Sequence, residues 1–251
     1  MNKSNRIVLT ILLLLFLIPV GICTYYAIKR KHLLYQSIVY RQKPGQKEYV
    51  HPDGIDLSHH NIAYDWKKVD AKFVYVRATF GVSIKDRRYD IHRKAARRHH
   101  IPVGAYHFLT ANASARKQFK HFASVVERKH INLRPMLDVE ESGFKNAPRG
   151  FTDMDAHQLI RDWCNLCQNK YGVAPIIYTT ETLYRRFGMD KDFSDCIWWV
   201  ADYNNKANFE NTCIVPYTLH QYSDKNFVEG FHGHIDCNRF ANGKTVKDIM
   251  L

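Results

Sequence analysis

The chain has 251 residues, 45% hydrophobic and 13% aromatic, with 37 Lys and Arg against 24 Asp and Glu for a formal charge of +13. That length suffices for one large domain with a substantial core, and the absence of low-complexity tracts and internal repeats excludes a disordered or fibrous chain. A charge of this sign suits nucleic acid, but no helix-turn-helix, zinc-finger or RNP-like pattern accompanies it, so no nucleic-acid partner is expected.

From Ile7 to Ile28 the chain carries no charge, and "IVLTILLLLFLIPVGIC" is nearly all apolar. As a helix this stretch reaches ~33 Å, about the hydrocarbon thickness of a bilayer. Lys3 and Arg6 precede it and "KRKH" follows, which predicts an uncleaved anchor over residues 1–28. A cleaved signal peptide is the alternative, but no A-x-A-like site follows. Residues 29–50 are polar and basic and read as a linker, leaving 51–251 as the folded domain. More basic residues follow the apolar segment than precede it, and this bias favours a cytoplasmic C-terminal domain.

Eight short β-rich runs follow: residues 54–58, 73–79, 102–109, 134–140, 175–179, 196–203, 217–223 and 234–240. Helical patterns lie between them at about 65–71, 87–99, 113–129, 155–171 and 181–187, with 3.6-residue spacing at Phe119, Phe122, Val125 and Val126. Strand–helix alternation predicts parallel strands with right-handed crossovers. Eight strands in ~200 residues predict an irregular TIM-like α/β barrel with fewer than eight helices. An open doubly wound sheet is disfavoured, because no glycine-rich phosphate loop follows the first strand. The basic run 85–100 is expected to form a short helix with a solvated outer face. Cys164 and Cys167 make a C-x-x-C inside a helical pattern rather than at a helix start, which predicts core packing. No His or Cys spacing predicts a metal site, and no cofactor is expected.

Four acids fall near strand ends: Asp56 in "GIDLS", Asp138 and Glu140 in "LDVE", and Asp236 in "HIDCN". In a parallel barrel, catalytic groups gather at the C-terminal ends of strands. Alternation puts Asp138 and Glu140 on one face and Glu141 on the other. Tyr106, Tyr178, Trp199, Tyr203 and Tyr222 are the candidate aromatic neighbours, and rings beside carboxylates suit carbohydrate. Glycosidic cleavage needs a proton donor for the leaving oxygen and an anion facing the positive charge that builds on the sugar. Close carboxylates raise one another's pKa, so one stays protonated near neutrality. Glu140, nearer the rim, is expected to be the acid and Asp138 the anion, with Asp56 and Asp236 in support. Acids at strand ends also cap helices and pair with arginine, so D-x-E by itself is a weak signal.

The segment "GIDLSHHNIAYDWKKV" resembles the opening of the glycoside hydrolase family 25 lysozymes. The likeness continues in order through "KFVYVRATFG", "IPVGAYHF", "PMLDVE", "PIIYT", "WWVADY", "LHQYS" and "GHIDCNRF". The resemblance implies an eight-stranded irregular barrel and an N-acetylmuramidase that cuts peptidoglycan between N-acetylmuramic acid and N-acetylglucosamine. It implies Glu140 as catalytic acid, with Asp56, Asp138 and Asp236 beside it and Tyr106 and Tyr178 in the groove. It also implies a route in which the substrate's acetamido group attacks the anomeric carbon, oriented by Asp138; a protein nucleophile is the alternative. Phe80 stands where the family often has Glu, and His220 where it often has Trp. Both departures bear on substrate preference, the second through a weaker sugar-stacking surface. The expected partner is the peptidoglycan glycan strand, met outside the cytoplasm by a membrane-anchored domain. A binding or scaffold protein that keeps the fold without turnover is the alternative.

Overall fold

The computed structural model describes residues 48–204 and 208–251. The predicted anchor lies outside the described residues, as does the linker up to residue 47. Among the described residues no helix is long and apolar enough to cross a membrane. The compact unit begins at Glu48. Tyr49 bridges to Phe227, and the Val50 amide donates to the Phe227 carbonyl at 3.0 Å, so residues 49 and 50 belong with the barrel.

Eight strands close the barrel: β1 Gly54–Leu57, β2 Phe73–Phe80, β3 Val103–Phe108, β4 Met136–Asp138, β5 Ile176–Thr179, β6 Ile197–Ala201, β7 Tyr217–Asn226 and β8 Ile235–Phe240. From β1 through β7 neighbouring strands run parallel. The sequence-based expectation fails at the seam, where β8 runs antiparallel to both β7 and β1. The cause is chain length: only residues 227–234 join β7 to β8, and a parallel crossover needs a dozen residues or more. Part of that connection, Phe231–His232, pairs with Ile62–Ala63 as a separate ribbon.

The interior is filled by Phe73, Tyr75, Met136, Ile176, Trp199 and Leu219, with Leu133 and Ile249 beside them. Two glycines make room for the largest rings. A Cβ at Gly54 would lie 2.1 Å from the Phe73 ring, and one at Gly104 would lie 2.2 Å from the Tyr75 ring. Those contacts are impossible, so glycine at both positions is dictated by the rings opposite them.

The helices pack outside. Asp153–Tyr171 starts with a capping box between Thr152 and Asp155 and stops at Gly172, whose φ of 80° suits glycine. Its Trp163, Cys164 and Cys167 are fully buried, so the C-x-x-C packs the core, and burial pushes both thiols up. The pattern at 65–71 forms only a 3₁₀ turn, Trp66–Lys68. The basic helix spans Tyr89–Arg98, with Lys94, Arg97 and Arg98 exposed. Two four-residue helices, Glu141–Phe144 and Phe209–Thr212, are too short to show periodicity in the sequence.

Candidate active site

Asp56, Asp138, Glu140 and Asp236 come together at one mouth of the barrel, around a hollow of about 230 Å³ that Tyr106, Tyr178, Tyr203, Gln221 and Asp224 also line. Asp138 ends β4, and Glu140 lies two residues on, just before the helix Glu141–Phe144. Asp236 arrives by a different route from the one expected. It stands near the start of β8, and antiparallel pairing aligns it with Asp56. The reversed strand brings its beginning to the mouth where its neighbours bring their ends.

Asp56 is held from two sides. Gln221 Nε2 and Asn238 Nδ2 each donate to its Oδ2 at 2.9 Å. Gln221 Oε1 in turn accepts from Tyr178 at 2.8 Å and from Tyr203. Asn238 Oδ1 accepts from Trp199 Nε1 at 2.9 Å. Both amides are therefore fixed in orientation with their N–H groups towards Asp56.

The acids form two pairs. Burial raises Asp56, while hydrogen bonds from Asn238, Gln221 and Asp236 oppose the rise. Burial, the Asp56 charge and a bond to Asp56 push Asp236 up to about 9. In this pair Asp236 holds the proton and Asp56 is the anion. In the second pair, burial and then the charges of Glu140 and Asp56 hold Asp138 well above the usual carboxylate range. Burial followed by the Asp56 charge also raises Glu140, which the Ser142 hydroxyl and Asp138 partly relieve by hydrogen bonding. Both members of this pair are thus held above the ordinary carboxylate range, and Asp138 is the more deeply buried of the two. Its Oδ1 is buried without a hydrogen-bond partner.

The acid pairs tie stability to pH. Asp236 binds a proton in the folded chain between the unfolded carboxylate range and about pH 9, whereas the unfolded chain has lost it. Stability is therefore greatest below about pH 4 with respect to this group and declines as pH rises towards 9. Asp236→Asn is expected to make that decline shallower by up to about 1.4 kcal/mol per pH unit, one proton's slope. Denaturant unfolding of both chains between pH 4 and 9 checks this.

Two predicted aromatics are not brought to the hollow. Trp199 is fully buried inside the barrel, edge-on to Tyr75 and Tyr178, so it cannot meet a sugar. Its role is to hold Asn238. Trp199→Phe is expected to cost about 1–3 kcal/mol by leaving Asn238 Oδ1 without its buried donor. Chemical denaturation measures this; unchanged stability with a raised KM would return Trp199 to the groove. Tyr222 points outward and packs on the outer core, with the Arg239 guanidinium 5.8 Å from its ring centre. Its neighbour Gln221 takes the inward position, which alternation from the interior Leu219 identifies.

His220 also faces outward. It stacks on Phe209 at 3.7 Å, donates through Nε2 to the Asp202 carbonyl at 2.9 Å and accepts from Arg239 at 3.1 Å. It therefore braces the Asp202–Tyr203 segment and forms no part of a sugar platform. Phe80 stacks on Phe108 with centroids 4.6 Å apart. Sequence reasoning also missed Arg77, whose charge lowers both Asp138 and Glu140 and whose Nε donates to buried Asp86 at 3.0 Å. Among the described residues no cluster of His, Cys, Asp or Glu is arranged to hold a metal.

A closed α/β barrel with two carboxyl pairs among tyrosines in its mouth defines a glycoside hydrolase. The chain belongs to the glycosyl hydrolases family 25, whose family model matches residues 55–231. Among curated relatives, lysozyme M1 of Streptomyces globisporus is 28% identical over 207 residues, covering 79% of this chain and 70% of that one. The uncharacterized protein YegX of Escherichia coli K12 is 27% identical, covering 78% and 71%. Among solved structures, the lysozyme of Streptomyces coelicolor superposes with a TM-score of 0.68 at 28% identity, covering 80% of this chain and 96% of that one. The muramidase of Acremonium alcalophilum gives 0.64 at 27% identity, covering 75% and 93%.

Proposed function

We propose that the barrel is an N-acetylmuramidase that hydrolyses the β-1,4 bond between N-acetylmuramic acid and N-acetylglucosamine in peptidoglycan. The observation that carries this reading is the joining of Asp138 and Glu140 to the Asp56–Asp236 pair in one tyrosine-lined hollow. The lysozymes and the muramidase among its relatives support the choice of polymer.

The chemistry follows from the shared proton. A bound glycan covers Glu140 and removes water from it, which raises its pKa further. An acetamido N–H meets the unpartnered Asp138 Oδ1, and positive charge growing at the anomeric carbon favours the Asp138 anion. Both changes settle the pair's proton on Glu140, which donates it to the leaving oxygen as the glycosidic bond breaks. The acetamido oxygen, held by Asp138, closes on the anomeric carbon, and water later opens that ring. Asp56, kept anionic by its two amide donors, adds negative potential beneath the reacting sugar. Tyr106 and Tyr178 wall the hollow, and Tyr203, 39% exposed, stands at its rim.

Incubation with purified peptidoglycan and mass spectrometry of the fragments tests this reading. Reducing-end N-acetylmuramic acid is expected; reducing-end N-acetylglucosamine, or no cleavage, would overturn it. Because the polymer lies outside the cytoplasm, the barrel is placed there, tethered by the uncharged segment Ile7–Ile28 against the basic bias that follows it. Protease added to intact spheroplasts should then digest the domain; a protected domain would refute that placement.

A further inference from the structure

A recess of about 960 Å³, four times the volume of the acid hollow, opens from the same wall at Glu140, Tyr178 and Tyr203. Its outer walls are the short helices Glu141–Phe144 and Glu181–Arg186 and the segment 201–204. Volumes near 1,000 Å³ lie at the upper end of small-molecule sites.

The chemistry of this recess differs from that of the hollow. Beyond the shared tyrosines its aromatic residue is Phe209, which is 2% exposed and already stacked on His220, so it presents no ring face to a sugar. Its other conspicuous lining groups are charged, and one of them, Asp202, accepts from the Asn204 amide through Oδ1 at 2.8 Å. Arg186 is neutralised by Glu141 at 3.0 Å and Asp153 at 2.9 Å, and Glu181 by Arg185 at 2.8 Å. Lys145 lines the same recess and has no ion-pair partner among the described residues. An ammonium left over at the edge of a roomy cavity fits a carboxylate-bearing ligand better than another neutral pyranose.

Given the muramidase reading, on which this inference rests, the reacting sugar carries a branch whose carboxylates need a cationic partner. N-acetylmuramic acid carries a lactyl ether that extends into a short peptide with free carboxylates. We propose that the recess receives this peptide branch and that Lys145 pairs with one of its carboxylates. The enzyme thereby selects glycan that still bears peptides over glycan stripped of them. The muramyl ring occupies the acid hollow, and its branch leaves through the wall formed by Glu140, Tyr178 and Tyr203.

The test compares two soluble substrates, uncross-linked glycan strands with their peptides and the same strands after amidase removal of the peptides, which takes away the peptide carboxylates and leaves a free lactyl carboxylate on the sugar. The full-length chain in detergent is assayed on each by release of reducing ends. The ratio of kcat/KM, peptide-bearing over stripped, is expected to be about tenfold, the scale of one charge-assisted contact. Lys145→Glu is expected to bring that ratio close to one, while its cleavage of stripped strands reports a folded enzyme. Equal rates of the unmodified chain on both substrates would overturn the peptide assignment and leave the muramidase reading standing. So would a ratio that Lys145→Glu does not alter. A chain that cuts neither substrate removes both readings.

Discussion

Glu140→Gln is expected to lower kcat on peptidoglycan by about 10³-fold, the scale of losing a positioned general acid. The amide keeps the shape of the side chain and can still receive the Ser142 hydroxyl, which lies 3.2 Å from Glu140 Oε2. Glu140 precedes the helix Glu141–Phe144 but makes no side-chain capping bond to it, so no helix stability is lost. Glycan binding should therefore persist while turnover disappears, a split that sedimentation with insoluble peptidoglycan and a reducing-end assay resolve together. Burial raises Glu140, so in the unsubstituted enzyme the active acid form survives to higher pH than in an exposed glutamate. The rate should then fall on the alkaline side as the proton is lost. If Glu140→Gln retained more than about a tenth of the activity, the acid would be a different group.

Asp138→Asn is expected to lower kcat by about 10²- to 10³-fold, the scale of removing one electrostatic stabiliser of the reacting centre. The amide keeps an oxygen for the incoming acetamido N–H, but it cannot become an anion as the sugar turns positive. It also removes the carboxyl that shares a raised pair with Glu140. The effect should appear in kcat with KM little altered, since the missing interaction belongs to the transition state. Steady-state kinetics on soluble glycan strands make the distinction. A variant that lost KM alone would mark Asp138 as a ground-state contact.

Much of the barrel was legible along the chain. Each of the eight β-rich runs overlaps a strand, the helix Asp153–Tyr171 lies within two residues of its pattern, and Ala115–Val125 ends four residues short of its own. The clue to the antiparallel seam was also present, since eight residues between β7 and β8 cannot make a parallel crossover. Strand–helix alternation in the first two thirds obscured it. Tyr222 shows the same conflict on a smaller scale. An aromatic residue near sugar chemistry was an attractive candidate, yet alternation pointed inward to Gln221, and the period of two prevailed.

The sequence by itself determined the strand-and-helix rhythm, the shared face of Asp138 and Glu140, and the set of four acids that the family's segments bring in order. These are local properties, carried by side-chain alternation and by motifs a few residues long. Only the tertiary structure decided which acids pair, how far burial and neighbouring charge raise them, and which aromatic rings reach the mouth. Asp56 meets Asn238 and Gln221 across 182 and 165 residues of chain, and Trp199 disappears into an interior that seven strands from elsewhere enclose. Burial and electrostatic potential are sums over neighbours in space, so they come into being only when the sheet closes.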